Sequence, residues 1–201
     1  MVHPIATLPQ MWDIIEQNKK LIVGSPQGVG FTTFISEWTA EQLFFKDISV
    51  VIVTDTEQSR IKILKAIKSN FDYYKVNGIK ELSHNIYQTT NDKSTVGVFL
   101  YHEIDFGFCF DYLYDFDVII FDKDILYKDF YDRLPELMDD IPGNVIVNTY
   151  DVPSSVFYKG EYDDITHVIL TSQYSRDNIR RINPYTNVIN HERITSGKFR
   201  D

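Results

Sequence analysis

Six segments of the chain are nearly continuous runs of apolar residues. They are residues 20–24, 48–54, 96–102, 117–122, 144–150 and 166–171. A strand with one face in water alternates apolar and polar positions, whereas a strand covered on both faces reads as a continuous apolar run. The pattern therefore predicts a mainly parallel sheet that lies between two layers of helices.

Between these strands the apolar residues recur every three or four positions, as they do in helices that bury one face. The spacing predicts helices over residues 8–18, 32–46, 57–69, 128–140 and 175–182, and the fourth would bend near Pro135. The residues expected to face the core are Ile35, Trp38 and Leu43 in the second helix, and Ile61, Leu64 and Ile67 in the third.

Residues 71–95 are polar and irregular, and we expect a surface excursion there with a hairpin or a small helix. No repeat, low-complexity tract or linker divides the chain. Its 201 residues, of which 43% are hydrophobic, suffice for one well-formed core. We therefore predict a single α/β domain over residues 1–201, a three-layer sandwich in which residues 173–201 form a basic C-terminal extension.

The formal net charge of -9 argues against a protein whose main surface clamps nucleic acid. The charge is also unevenly distributed, because residues 103–140 contain twelve acidic and three basic side chains, whereas basic residues predominate after residue 172. This asymmetry fits either two solvated faces or an acidic flank and a basic tail that dock partners. Any nucleic-acid contact would be local and would use Arg176, Arg180 and Arg181.

The sequence gives no signal for a disulfide or a metal site. The one cysteine, Cys109, lies in the aromatic segment 106–116 and is expected to be buried and inert, and the histidines show no ligand spacing. No secretion signal or bilayer-spanning segment is recognisable, so we expect a soluble protein that is not secreted and contacts no membrane. Segment 106–116 would be mostly core, and any exposed part would form a protein-docking surface beside the acidic flank.

The stretch GSPQGVGFTTF, residues 24–34, has the spacing of glycines and threonines that is typical of a phosphate-binding loop between a strand and a helix. Such a loop reads G-x-x-x-x-G-K-[ST], in which backbone N–H groups surround the phosphates, the lysine neutralises them and the hydroxyl binds Mg²⁺. Here the glycines and hydroxyls are present, but the cation is missing. The corresponding positions are Ser25 at the first glycine, Gly28 and Gly30 in the loop, Phe31 at the lysine, and Thr32 and Thr33 at the helix start.

A second motif supports a nucleotide-binding origin for this loop. The strand DVIIFD ends at Asp122, where nucleotide hydrolases carry the aspartate that organises magnesium. The hydrolytic proteins place a glutamate next, but this chain has Lys123, which would pair with Asp122 or Asp55, or replace the missing lysine and hold a nucleotide without hydrolysis. The simpler alternative is a glycine-rich βα turn that never bound a nucleotide.

The order of these features resembles the ATPase domain of the large terminase subunit, the motor that packages DNA into tailed-phage and herpesvirus capsids. Gln10 and the stretch MWDIIEQ precede the first strand, and by this resemblance Gln10 is a candidate reader of adenine. The resemblance spans roughly residues 8–172 in feature order, and NVIVNTYDVPSS loosely matches the family's coupling motif, S-T-P. It implies a P-loop NTPase-like sandwich of the additional-strand type, without the nuclease domain that follows in the family.

The departures from the family pattern concern charged catalytic positions. Against the family loop S-R-Q-x-G-K-T-T, this chain has Gln27 for the arginine, Gly28 for the glutamine and Phe31 for the lysine. Lys123 likewise stands where the family carries its catalytic glutamate. Loss of one transition-state contact commonly lowers a rate by about 10²- to 10³-fold. We therefore expect no catalytic residue, and Thr32 and Asp122 would be a vestigial magnesium position.

The resemblance and these losses together imply a catalytically inactive protein that acts as a structural or regulatory component of viral DNA packaging in the host cytoplasm. It would bind a protein partner and no cofactor, or ATP and magnesium only weakly. One alternative is a working nucleotide-dependent motor or switch, whose missing charges come from Lys123, the basic tail or another subunit. Another is a helicase-related accessory protein that contacts nucleic acid through Arg176, Arg180 and Arg181.

Overall fold

A computed structural model describes residues 8–25, 30–73, 78–90, 93–104, 113–122, 138–149, 166–171 and 187–190. For residues 8–10, 72–73 and 149 and for the last two strands, it describes the backbone alone. The predicted helix 175–182, Pro135, Cys109 and the arginines proposed for nucleic-acid contact lie outside the described residues. Of the predicted helix 128–140, residues 138–140 are described and are helical.

Nine strands within the described residues form a single sheet with the order β3-β4-β5-β2-β6-β7-β1-β8-β9. The seven strands from β5 to β9 in this order are parallel, and the hairpin β3–β4 joins β5 in antiparallel orientation. The strands are β1 Lys20–Gly24, β2 Ser49–Thr54, β3 Ile79–Ser83, β4 Ile86–Thr89, β5 Thr95–Leu100, β6 Val118–Asp122, β7 Asn144–Thr149, β8 Thr166–Thr171 and β9 Asn187–Asn190.

The three longer α-helices of the described chain lie before β1, between β1 and β2, and between β2 and β3, and a short 3-10 helix follows β5. They are α1 Leu8–Gln17, α2 Phe31–Phe45, α3 Glu57–Tyr73 and the 3-10 helix Tyr101–Glu103. All six predicted strands and the first three predicted helices are therefore confirmed within a few residues. The excursion predicted over 71–95 contains a hairpin, as expected, but this hairpin extends the sheet instead of lying outside it.

Both faces of the sheet are covered, which confirms the three-layer α/β sandwich. Alternate residues of one strand enter the two cores, so that Val50 and Ile52 face the helices α1 to α3 while Val51 and Val53 face the opposite layer. That opposite layer includes Leu113, Phe116, Met138 and Ile141. Helix α2 is enclosed on nearly all sides, since ten of its 15 residues are buried, including the predicted Ile35, Trp38 and Leu43.

The predicted inner face of α3 is wrong at one position. Ile61 is 56% exposed, whereas Ile63, Ile67 and Phe71 are buried and Leu64 is partly buried. Residues 63, 67 and 71 repeat every four positions, which is as compatible with one helical face as the predicted spacing is. The helix is therefore rotated so that Ile61 points away from the core.

The strand order places β7 between β1 and β6, which is the predicted additional-strand arrangement. Because the seven strands are parallel, their carboxyl ends lie at one edge of the sheet. The register puts Thr54 beside Asp122 and Val23 beside Asn148. The pairing of Phe121 with Val147 brings the next residues of β6 and β7, Asp122 and Asn148, to the same level.

Candidate functional site

The residue after β1 begins the candidate site. Ser25 is buried, and its hydroxyl donates a hydrogen bond to Oδ1 of Asn148 on the neighbouring strand β7. A buried hydroxyl needs such a partner, because leaving it without one costs about 1–3 kcal/mol. The loop position that replaces the first glycine of the phosphate-binding pattern is thus fixed to the sheet by its side chain.

Gly30 determines where α2 starts. It precedes the helix with φ of 92° and ψ of 15°, in the left-handed region, and its carbonyl accepts the first helical hydrogen bond from Phe34 N at 3.0 Å. A side chain with a Cβ is strained in this conformation by roughly 1–2 kcal/mol. The glycine at the end of the predicted loop is therefore required by the backbone geometry.

The side chain of Phe31, in the position of the loop lysine, belongs to the hydrophobic core. It is 3% exposed and its ring lies 6.1 Å from that of Phe34, which in turn contacts Trp12 of α1 edge-on at 5.9 Å. A phenyl ring carries no charge to compensate phosphate oxygens. The first residue of α2 is therefore a packing residue.

Thr32 and Asp122 lie next to each other, as predicted. The Thr32 hydroxyl donates to Oδ1 of Asp122 at 3.4 Å, and Asp122 is fully buried at the end of β6. Nδ2 of Asn148 donates to the same carboxylate oxygen at 2.8 Å. These two side chains replace part of the solvation that the buried side chain of Asp122 has lost, and the shorter contact from Asn148 contributes more than the longer one from Thr32.

Asn148 is a site residue that the sequence analysis did not single out. It is 3% exposed, and its amide joins Ser25 to Asp122. The available signal was the polar residue that interrupts the apolar run NVIVN at its carboxyl end, where parallel strands place functional side chains. Ser25, Asn148, Asp122 and Thr32 together form one continuous series of side-chain hydrogen bonds, called the polar relay below.

A second polar cluster at the same edge was also missed. The carboxylate of Glu103 accepts hydrogen bonds from Arg60 Nη1 at 3.1 Å, from Asn85 Nδ2 at 3.3 Å and from the backbone N–H of Leu100 at 2.8 Å. Burial acts to lower the pKa of Arg60, but the hydrogen bonds and charges of Glu57 and Glu103 outweigh it, so that the pKa is raised. This cluster ties α3, the hairpin turn and the end of β5 together.

The remaining predicted site residues contribute less to the described geometry. Thr33 is half-buried in the first turn of α2. Gln10 lies in α1, but its side chain is outside the described set, and Gln27, Gly28 and Lys123 lie outside the described residues altogether. The expected pairing of Lys123 with Asp122 or Asp55 therefore stays a prediction.

Two oxygen-bearing side chains of the polar relay, Thr32 and Asp122, are of the kind that bind magnesium. A threonine hydroxyl and an aspartate are oxygen ligands of the kind that Mg²⁺ takes together with substrate phosphates. Within the described ranges, no group of three or more His, Cys, Asp or Glu side chains could hold a metal. Because Phe31 supplies no cation, the triphosphate would lack the charge that normally neutralises it.

Comparison with solved structures identifies the fold. The chain superposes on the large terminase of a thermophilic bacteriophage with a TM-score of 0.57 and 14% identity, over 89% of this chain and 50% of that one. The complex of the same terminase with ATP-gamma-S gives a TM-score of 0.55 at 12% identity, over 89% and 49% of the two chains. A mutant of the large terminase ATPase domain from a Thermus phage gives 0.53 at 9% identity, over 85% and 83%.

These similarities establish the fold of the phage large terminase ATPase domain, a P-loop type α/β sandwich, and so confirm the predicted structural resemblance. The chain spans about half the length of the thermophilic-phage terminase that it matches. No protein-family model and no curated protein matches the sequence. In the described part of the chain, no helix is long and apolar enough to cross a membrane.

Proposed function

We propose that this protein is a catalytically inactive counterpart of the packaging ATPases, which acts through protein contacts as a structural or regulatory component of viral DNA packaging in the host cytoplasm. The fold supports the packaging context. The polar relay supports the inactivity, because the carboxylate that would organise magnesium accepts a hydrogen bond at 2.8 Å from Asn148 of its own chain.

The buried position of Phe31 adds a second, independent reason. A charge-assisted hydrogen bond contributes about 1.5–3 kcal/mol, so replacing the lysine alone would weaken nucleotide affinity by roughly one to two orders of magnitude. The loop lysine also stabilises charge in the transition state, and losing one such contact commonly slows a reaction by about 10²- to 10³-fold. Lys123 at the glutamate position removes the group that would align the attacking water.

Calorimetric titration with Mg-ATP, together with a steady-state hydrolysis assay, tests this proposal. We expect no turnover above that of the Asp122→Asn variant, and affinity no tighter than the millimolar range. The Asp122→Asn variant is a matched control because asparagine keeps the volume of the side chain while removing the charge that a magnesium ion requires. Hydrolysis at about 1 s⁻¹ or faster, within the usual range of enzymes, would refute the inactivity.

A second candidate function is a nucleotide-dependent switch, and one observation favours it. The Thr32 hydroxyl and the Asp122 carboxylate are still 3.4 Å apart, as two groups that share one cation would be. In this case ADP or ATP-gamma-S should slow hydrogen exchange at Phe31 and Thr32, and Asp122→Asn should abolish that protection. If the protein is instead an inactive component, hydrogen exchange at Phe31 and Thr32 should be the same with and without nucleotide.

A further inference from the structure

The outer face of α3 is basic, although the protein as a whole is acidic. Lys62, Lys65 and Lys68 are exposed, and with Ile61 they fall within an arc of about 120° because successive helical residues are 100° apart. The sequence between Gln58 and Phe71 contains no acidic residue. We call the four residues Ile61, Lys62, Lys65 and Lys68 the α3 ridge.

The lysines of the ridge are not engaged in ion pairs with any described acidic residue. The ammonium group of Lys68 lies 5.0 Å from the ring centre of Tyr87. Within the described structure, Lys62 and Lys65 make no comparable contact with an aromatic ring. Arg60, one residue before the ridge, differs, because Glu57 and Glu103 bind it. The ridge thus presents positive charge that the described part of the fold does not use.

Ile61 adds an apolar centre to this charged surface. It is one of three large apolar side chains that are more than half exposed in the described chain, with Phe45 and Leu82. Burying an isoleucine side chain is favourable, because it removes apolar surface from water. An isoleucine held in water between lysines is therefore suited to a partner that offers both carboxylates and an apolar side chain.

Nucleic acid fits this surface less well. Three lysines would neutralise about three phosphates, which corresponds to a salt slope of about -2.7, so electrostatic attraction to DNA at this surface would be small. The net charge of -9 also opposes the approach of a polyanion to the molecule as a whole. A phosphate backbone also offers little apolar surface to Ile61.

We propose that the α3 ridge is a docking surface for an acidic amphipathic segment of a partner protein. The carboxylates of that segment would pair with Lys62 and Lys65, and an apolar residue between them would cover Ile61. This proposal is independent of the state of the nucleotide site, because α3 carries none of the residues of the polar relay.

Fluorescence anisotropy with a designed peptide tests this surface. The probe is a labelled peptide of about 18 residues, a length at which an isolated helix can form in water. One face of this helix carries a leucine surrounded by glutamates. Lys62→Glu/Lys65→Glu should weaken binding at least about tenfold, because attraction becomes repulsion at two contacts. The control variant Lys19→Glu/Lys93→Glu changes the net charge by the same amount at exposed positions outside the ridge. It should change the affinity for the peptide less than about twofold.

A second variant distinguishes a docking surface from general charge attraction. Ile61→Ser should weaken peptide binding about three- to tenfold, both at about 50 mM and at about 300 mM salt, because apolar contact is not screened. Circular dichroism should show unchanged folding, since the replaced side chain is exposed. Affinity weaker than about 1 mM, or an Ile61→Ser variant that binds like the parent, would overturn the proposal. Tighter binding of a duplex DNA of about 20 base pairs that is lost in Lys62→Glu/Lys65→Glu, or salt-sensitive self-association through the ridge, would also overturn it.

Discussion

Replacement of Asn148 by alanine tests whether the polar relay holds the carboxyl edge together. The amide of Asn148 donates to Asp122 at 2.8 Å and accepts from Ser25, and the side chain is 3% exposed. Losing a donor to a buried carboxylate costs about 1.5–3 kcal/mol, and losing the acceptor of a buried hydroxyl about 0.5–1.5 kcal/mol. Structural relaxation and entering water will recover part of this, so we expect Asn148→Ala to lower the free energy of unfolding by roughly 2–4 kcal/mol.

Urea and thermal denaturation measure this loss. For a domain of this size about 1 kcal/mol corresponds to about 2–4 °C, so the melting temperature should fall by roughly 5–15 °C. Asn144→Ala, at the half-buried opposite end of the same strand, is the matched control and should cost less than about 1 kcal/mol. Magnesium should raise the melting temperature of Asn148→Ala more than that of the parent, because the variant frees one carboxylate position for a cation. Equal losses for the two variants would refute a stabilising role for the relay.

Three further changes test other parts of the fold. Gly30→Ala should cost about 1–2 kcal/mol in thermal melts because φ is 92°, whereas Gly78→Ala, whose added Cβ meets nothing within 4 Å, should be nearly neutral; equal effects would contradict this. Glu103→Gln should cost about 1–3 kcal/mol in urea because it weakens the contact with Arg60, and an unchanged midpoint would contradict it. Burial lowers the pKa of Lys20 below 10.5, although the charge of Asp139 opposes this shift. The unfolded state therefore binds more protons than the folded state, and the free energy of unfolding should rise with pH from the folded pKa towards 10.5. Lys20→Met should flatten that rise in urea denaturation, and an unchanged slope would contradict the assignment.

Strands buried on both faces were readable from the sequence because burial itself imposes continuous apolar runs. Strand β3, IKELS, gave no such signal, since four of its five residues are exposed and its conformation is set by pairing with β4. The rotation of α3 was missed for a related reason. Ile61 and Ile63 are both isoleucines, and the choice between them depends on packing against α2 and β5, which the local pattern does not encode.

The candidate site was predictable as far as local motifs reach. Gly30, Thr32 and Asp122 belong to recognisable loop and strand patterns, and the structure brings Thr32 and Asp122 together. Asn148 depends on the register of β7 between β1 and β6, which is a non-local property. The role of Glu103 likewise depends on its hydrogen bonds with Arg60 and Asn85, which lie 43 and 18 positions away in the sequence.

Strand β3, the outermost described strand on the hairpin side of the sheet, has features that disfavour pairing with the edge of another molecule. Its central residues Lys80 and Glu81 are exposed, and the register breaks between Glu81 and Ser83. Two copies paired antiparallel across a two-fold axis centred on Lys80 would set ammonium against ammonium, and a pairing centred on Glu81 would oppose two carboxylates. Growth of the sheet from one molecule into the next is therefore disfavoured at this edge.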